Sequence, residues 1–376
     1  MLRLFSTIEA CVMASWKMGF EIELLAPQGR SRRDLAAAVA RDQGGTVGVC
    51  FYPQSEPSLV PGLPVFENLV LGFDVRDRGG ERIALLVDDL TIRDGLDHNA
   101  PPLTGWLRLL SDDARLLSLA QHHCDPQAGL ETVLEPVAAL WGTPVEHAGG
   151  GITKVVDQSA RSIAMAAPLP GERERPCEII SPPYGDDPEP ALRKLLMAAH
   201  ALDFSVPAEA ALHIHYDAVR LRDARALARL IKALDQFGDA LRSLVRTNPR
   251  CVRLGPISDS IRALARDPDF QHLDWIKAQQ RLIECKPTKY ADYNFFNLAH
   301  DLPGKQTFEV RIFPGSMDVS EIMRNARLFA AILEWACGLG TDGLNSGFPG
   351  FLATLKLPPE DLDQWHSQLP DQAQGV

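Results

Sequence analysis

Four short segments carry acid, imidazole and guanidinium groups at alternate positions: GFEIEL (19–24), CEIISPP (177–183), ALHIHYDA (211–218) and TFEVRIF (307–313). Residues two apart share one face of a β-strand. Glu21 and Glu23 then project together, as do His213, His215 and Asp217, and Glu309 with Arg311, while Glu178 opens an apolar run. Phe20, Ile22, Leu24, Ile214, Tyr216, Phe308, Val310 and Ile312 fall on the opposite faces, as in strands whose other side is packed. If these strands are neighbours in one sheet, their polar faces make a tray with more carboxylate than two imidazoles and one guanidinium balance. Such an oxygen-rich set suits a hard divalent cation, Mg2+ or Mn2+, with an occasional imidazole ligand. An arginine beside it suits a phosphate, which it grips with paired hydrogen bonds.

Each segment alone has a plainer reading. Two glutamates on a strand are commonly a solvated edge, paired histidines are as often structural as metal-binding, and Glu-x-Arg is usually a surface ion pair. The joint occurrence favours the site. Other motifs stay structural. Gly149 to Gly151 precede a strand and lack a following Lys-Ser or Lys-Thr, whereas a phosphate-binding loop opens a helix. His122 and His123 close a helical stretch, where positive charge complements the helix dipole.

The elements that must position the tray follow from periodicity. Ser31 with Asp34 makes a capping pattern for a helix that Gly44-Gly45 stops. TVGVCFYP, VFENLVLGFDV and RIALLVDDL read as strands, the last two joined as a hairpin by RDRGGE. Residues 89–103 read as a loop, GWLRLLSDDARLLSLAQHH and ETVLEPVAALWG as helices. From residue 149 the strands ITKVVD, ARSIAMAA and CEIISPP lead to a helix over PEPALRKLLMAAHALDF, then the His-x-His strand and the helical run DARALARLIKALDQFGDALRSLV. More helix spans about 258 to 283, and VSEIMRNARLFAAILEWACGLG follows the last strand. Strands and long helices without a regular β-α repeat give an α+β class: a curved, mostly antiparallel sheet backed by helices.

A net charge of -11 opposes nonspecific binding to a polyanion, so nucleic acid is not an expected partner. The seven cysteines are scattered, with no CxxC pair, which reads as reduced thiols in a cytoplasmic protein. No apolar run reaches the roughly 20 residues of a membrane helix, so no membrane partner is expected.

The order of Glu-x-Glu, KVVDQS, EIISPP, HIH, KYADYNFFNL and TFEVRIFPGSMD resembles that of the amidoligase family, carboxylate-amine ligases with a glutamine-synthetase-like fold. The motifs cover 19–24 and about 149–335. Asp157-Gln158-Ser159 stands where the family commonly has Asp-Gly-Ser. The resemblance implies one domain over 19–370 with an inserted elaboration at about 46–130, an N-terminal lead-in at 1–18 and a tail at 371–376. It implies two metal positions, one with Glu23 and Glu178 and the other with Glu21, His213 and Glu309. Arg311 would hold nucleotide phosphate, with His215 and Lys289 as further nucleotide contacts. Tyr290 and Asn294 would face substrate or nucleotide. Arg311, Glu309 and Glu23 form the expected catalytic set.

The activity implied is ATP-dependent formation of an amide or isopeptide bond through an acyl phosphate, between the carboxylate and amine of amino acids, peptides or related small molecules. Mg2+ or Mn2+ would serve it, and a homo-oligomer is compatible with the fold. A cover over the site is expected from 89–103 or from PGERER at 170–175, because the activated acid must meet the amine before water. Two rivals remain, a metal-dependent hydrolase and a non-catalytic nucleotide-binding protein.

Overall fold

The computed structural model describes residues 16–57, 65–185, 187–251, 254–301, 304–338 and 343–369. The lead-in before residue 16 and the tail lie outside them. The strands are β1 (Met18–Leu25), β2 (Thr46–Pro57), β3 (Val65–Arg76), β4 (Arg82–Val87), β5 (Leu107–Leu110), β6 (Glu146–Ala148), β7 (Ile152–Val156), β8 (Ser162–Pro168), β9 (Pro176–Ile180), β10 (Ala211–Asp217), β11 (Tyr293–Asn294) and β12 (Thr307–Pro314). Among the described residues these twelve form one open antiparallel sheet backed by 11 helices, the α+β architecture expected. The order is β11, β12, β10, β1, β9, β4, β3, β5, β8, β7, β6, with β2 along β3. The segment 46–130 therefore supplies four strands, β2 to β5, to the middle of the same sheet.

One face of the sheet is dry. Phe20, Ile22, Leu24, Ile214, Phe308, Val310 and Ile312 are buried there, and the Tyr216 hydroxyl donates to the Ala326 carbonyl at 2.9 Å. Each such apolar side chain contributes about 1.5–3 kcal/mol on burial. The helix Ala224–Leu244 starts at Asp223, whose carboxylate accepts the Ala226 N–H at 2.8 Å. It buries Leu227, Leu230, Ile231, Leu234 and Leu241, the stripe its periodicity requires. The helix Arg32–Gln43 begins as expected, with Asp34 accepting the Ser31 N–H at 2.8 Å, and ends at Gly44 with φ 64°. Its first residue, Arg32, is fully buried, stacks over Trp106 at 4.6 Å and donates to the Leu71 carbonyl at 3.2 Å.

Two expectations need correction. Leu107–Leu110 is strand β5, and the helix begins only at Ala114. The apolar run LRLL pairs with both β3 and β8, and Asp113 caps the helix by accepting the Arg115 N–H at 2.8 Å. PGERER is no free cover. Arg173 donates to Asp88 and to the carbonyls of Asp89 and Ile92, while Arg175 donates to the carbonyls of Ala26 and Gly95. The segment braces the loop after β4.

Candidate functional site

Strand register builds the site. β12, β10, β1 and β9 are consecutive neighbours, and their backbones set His215 opposite Glu309, Glu21 opposite His213, and Glu23 opposite Glu178. The period-two motifs thus become one polar face, the arrangement on which the tray depended. The pairing of β10 with β12 is irregular between Leu212 and Ile214. Such an irregularity re-aims side chains, here beside Arg311. At the end of β12 the chain comes so close to β10 that a Cβ on Gly315 would lie 2.8 Å from the Ala210 Cβ. Gly315 donates to the Ala210 carbonyl at 3.0 Å, and the next residue, Ala211, gives its N–H to Glu23 Oε2 at 2.7 Å.

His213 lies at the centre. Its Nδ1 is 3.1 Å from Glu21 Oε2 and 3.8 Å from Glu309 Oε1, and its Nε2 is 3.7 Å from Glu23 Oε1. His215 Nε2 is 3.1 Å from Glu21 Oε1 and 4.0 Å from Glu309 Oε1, and its Nδ1 sits 3.1 Å from the Thr307 hydroxyl. Arg311 donates to Glu309 Oε1, while Asn294 Nδ2 donates to Glu309 Oε2 at 2.6 Å. One donor atom each from Glu21, His215 and Glu309 falls within 4.8 Å of the others, as does one each from Glu21, Glu178 and His213. Either group can hold a metal ion with water completing the shell.

This grouping departs from the resemblance. Glu21 stands between two donor sets, His215 joins His213 beside Glu309, and His213 also converges with Glu178. Glu23 turns toward Ala211 and toward Asp89, a buried residue of the loop after β4. Lys289 is exposed, its ammonium 5.2 Å above the Tyr290 ring. Asn294, by contrast, is buried against Glu309. Asp157 closes the β7–β8 turn by accepting the N–H groups of Ser159 and Arg161, with Ala160 at φ 60°. β7 and β8 lie across the sheet from β1.

The electrostatics divide the carboxylates in two. Burial opposes ionisation of Glu21, yet His215 and His213 hold it well below the usual carboxylate range. Burial is also outweighed at Glu309, by His215 and Arg311. Burial raises Glu23 well above that range and Asp89 adds to the rise; Glu178 is raised by burial and then by Glu21, Asp89 and Glu23. Burial would lower His215, but Glu21 and Glu309 push it up to about 9. Burial and mutual repulsion oppose ionisation of Glu23 and Glu178, and a cation beside them relieves both.

Asp89 is the functional candidate the strand motifs could not supply. It follows β4, which pairs with β9 at Val87 and Glu178, so register carries the loop to the tray. Both its oxygens accept from the Thr91 hydroxyl. A small pocket opens beside the carboxylates, walled by Glu23, His213 and Arg311 and by Thr91, Glu209 and Arg250. A larger hollow of about 680 Å³ lies between Arg33, Trp106, Leu103 and Leu130, with no acid or imidazole in its wall. The acids, the imidazole of His213 and Arg311 line the smaller one.

A family model described as "Putative amidoligase enzyme" matches residues 14–333, a span that contains all twelve strands. No curated protein and no solved structure matches the chain.

Proposed function

The chain belongs to the amidoligase family, and from that premise we propose that it is an ATP-dependent carboxylate-amine ligase working through an acyl phosphate. The observation that carries this reading is the excess of buried and half-buried carboxyl groups on one sheet face, with the Arg311 guanidinium beside them. The acids Glu21, Glu23, Glu178 and Glu309, with Asp89, outnumber the basic side chains Arg311, His213 and His215. Oxygen-rich donors at this spacing fit Mg2+ or Mn2+.

Glu21, Glu178 and His213 would hold one ion and Glu21, His215 and Glu309 the other, and these ions supply charge neutralisation to phosphoryl transfer. Arg311 is anchored by Glu309 and keeps further N–H groups for a phosphate oxygen. Asn294 fixes the other oxygen of Glu309, so that carboxylate cannot rotate away from its role. Thr307 orients the His215 ring. The substrate carboxylate attacks the γ-phosphorus and the bond to ADP breaks. The neutral amine nitrogen then attacks the acyl carbon, phosphate leaves with the bonding pair, and the nitrogen passes one proton to solvent. Loop 88–95, clasped by Arg173 and Arg175, keeps one wall of this pocket in place.

The test is nucleotide turnover by the purified protein with Mg2+, against pooled amino acids, peptides and polyamines, with hydroxylamine as a surrogate amine. ADP, phosphate and a hydroxamate are expected together. AMP in place of ADP would overturn the acyl-phosphate route. Absence of ATP binding by calorimetry, with metal-dependent hydrolysis of the pooled peptides, would replace the ligase by a hydrolase.

A further inference from the structure

Glu209 lies just before β10, outside both donor sets, and is 9% exposed. Its Oε1 accepts two backbone N–H groups, from Arg93 at 2.7 Å and Asp94 at 2.6 Å. These bonds pin the carboxylate to the loop after β4. Its Oε2 is buried and has no hydrogen-bond partner among the described residues. A buried acceptor left unmade costs about 1–3 kcal/mol, more when charged, so water or a ligand completes it. Glu209 lines the pocket beside Glu23, His213 and Arg311.

Among the described residues, neither arginine of the pocket donates to Glu209. Arg311 is bound to Glu309 and Arg250 to Asp94. A divalent ion needs several oxygens at once, and Glu209 belongs to neither set whose donors converge. The complement of a single, fixed, anionic acceptor is an N–H donor carrying positive charge. We propose that Glu209 receives the amine substrate as its ammonium and places that nitrogen beside the carboxylate tray. This rests on the ligase reading above and narrows its second substrate to a primary amine that is protonated in solution.

Glu209→Gln separates this role from a structural one. The Gln carbonyl can still accept from Arg93 and Asp94, while its NH2 puts a donor where Oε2 was. In the full-length variant the KM for cationic primary amines should rise about tenfold or more. The KM for ATP should stay within about twofold. Hydroxamate formation should also persist, because hydroxylamine is uncharged near neutrality and needs no anionic partner. Equal amine KM values in the two proteins would overturn the assignment. Saturation-transfer NMR with n-butylammonium, and n-butanol as the neutral control, gives a second readout that needs no turnover. A butylammonium signal in the wild type that Glu209→Gln abolishes supports the site, whether or not nucleotide is consumed. Equal signals, or none in the wild type, refute it. Wild-type silence toward ATP alongside a Glu209-dependent signal would discard the ligase and keep the amine site.

Discussion

The two arms of the sheet meet at β3 and β4 and treat charge in opposite ways. On the arm from β9 to β12, carboxylates are buried and under-neutralised, with Glu23 and Glu178 pushed up toward protonation. At the start of the other arm, Asp74 on β3 is shared by two arginines, Arg76 at 2.8 Å and Arg82 at 2.6 Å, whose side chains are nearly half exposed. Burial there is outweighed by the Arg82 and Arg76 hydrogen bonds, and Asp74 is held below its ordinary value. Both places are strand faces with alternating charge, so the motif type does not distinguish them. What distinguishes them is whether charge is balanced locally or left for something else to balance.

The largest expected effect comes from removing a charge on the under-neutralised arm. Glu23→Gln and Glu309→Gln should each lower ligase turnover by about a hundredfold or more. Their stabilities should diverge. Gln at 23 keeps an acceptor for the Ala211 N–H and removes a repelled anion, so thermal melting should hold or rise. Gln at 309 leaves the buried Arg311 without its carboxylate, and breaking such a pair costs about 3–5 kcal/mol. Equal melting temperatures in the two variants would break the distinction between an excess charge and a paired one.

The same contrast explains what could be read from the chain. Glu21, Glu23, His213, His215, Glu309 and Arg311 were legible because a strand's period of two is local. The dry face opposite them was legible for the same reason. That β9 lies between β1 and β4 was not, since strand order is set by pairing across up to two hundred residues of chain. Asp89 and Glu209 sit in loops with no periodicity, and only tertiary folding brings them to the tray. β5 was hidden because LRLL, next to a real helix, fits either period. Lys289 looked right by neighbourhood in sequence, but the segment leading to β11 leaves it exposed and carries Asn294 inward.

A smaller, continuous effect should appear with pH. Glu23 and Glu178 have folded-state values above their unfolded ones, so their stabilising contribution is full at low pH and drains away as pH rises through the folded value. Glu21 and Glu309 are held low, so theirs is lost only on acidification below the usual carboxylate range. Above the usual carboxylate range the first pair still has protons to lose, while Glu21 and Glu309 are already ionised. The metal-free protein should melt progressively earlier as pH rises from there, and Mn2+ should restore more stability at the alkaline end, where ions displace no protons. Melting curves with and without Mn2+ check this. A Mn2+ effect that shrinks as pH rises would contradict the arrangement.

The balanced arm should respond least. Asp74→Asn removes an anion shared by Arg76 and Arg82, but all three reach solvent, and exposed pairs of this kind are worth about 0–1 kcal/mol. Because Asp74 is held low when folded, its contribution exists above the ordinary carboxylate value and vanishes as pH falls through the folded one. The variant should therefore lose a few tenths of a kcal/mol at neutral pH and converge with the wild type in acid. Nucleotide turnover should be unchanged, since β4 and β9 stand between β3 and β1 in the sheet. A hundredfold loss of turnover in Asp74→Asn would mean that the arms are coupled, and that the surplus charge on one is held in place by the balance on the other.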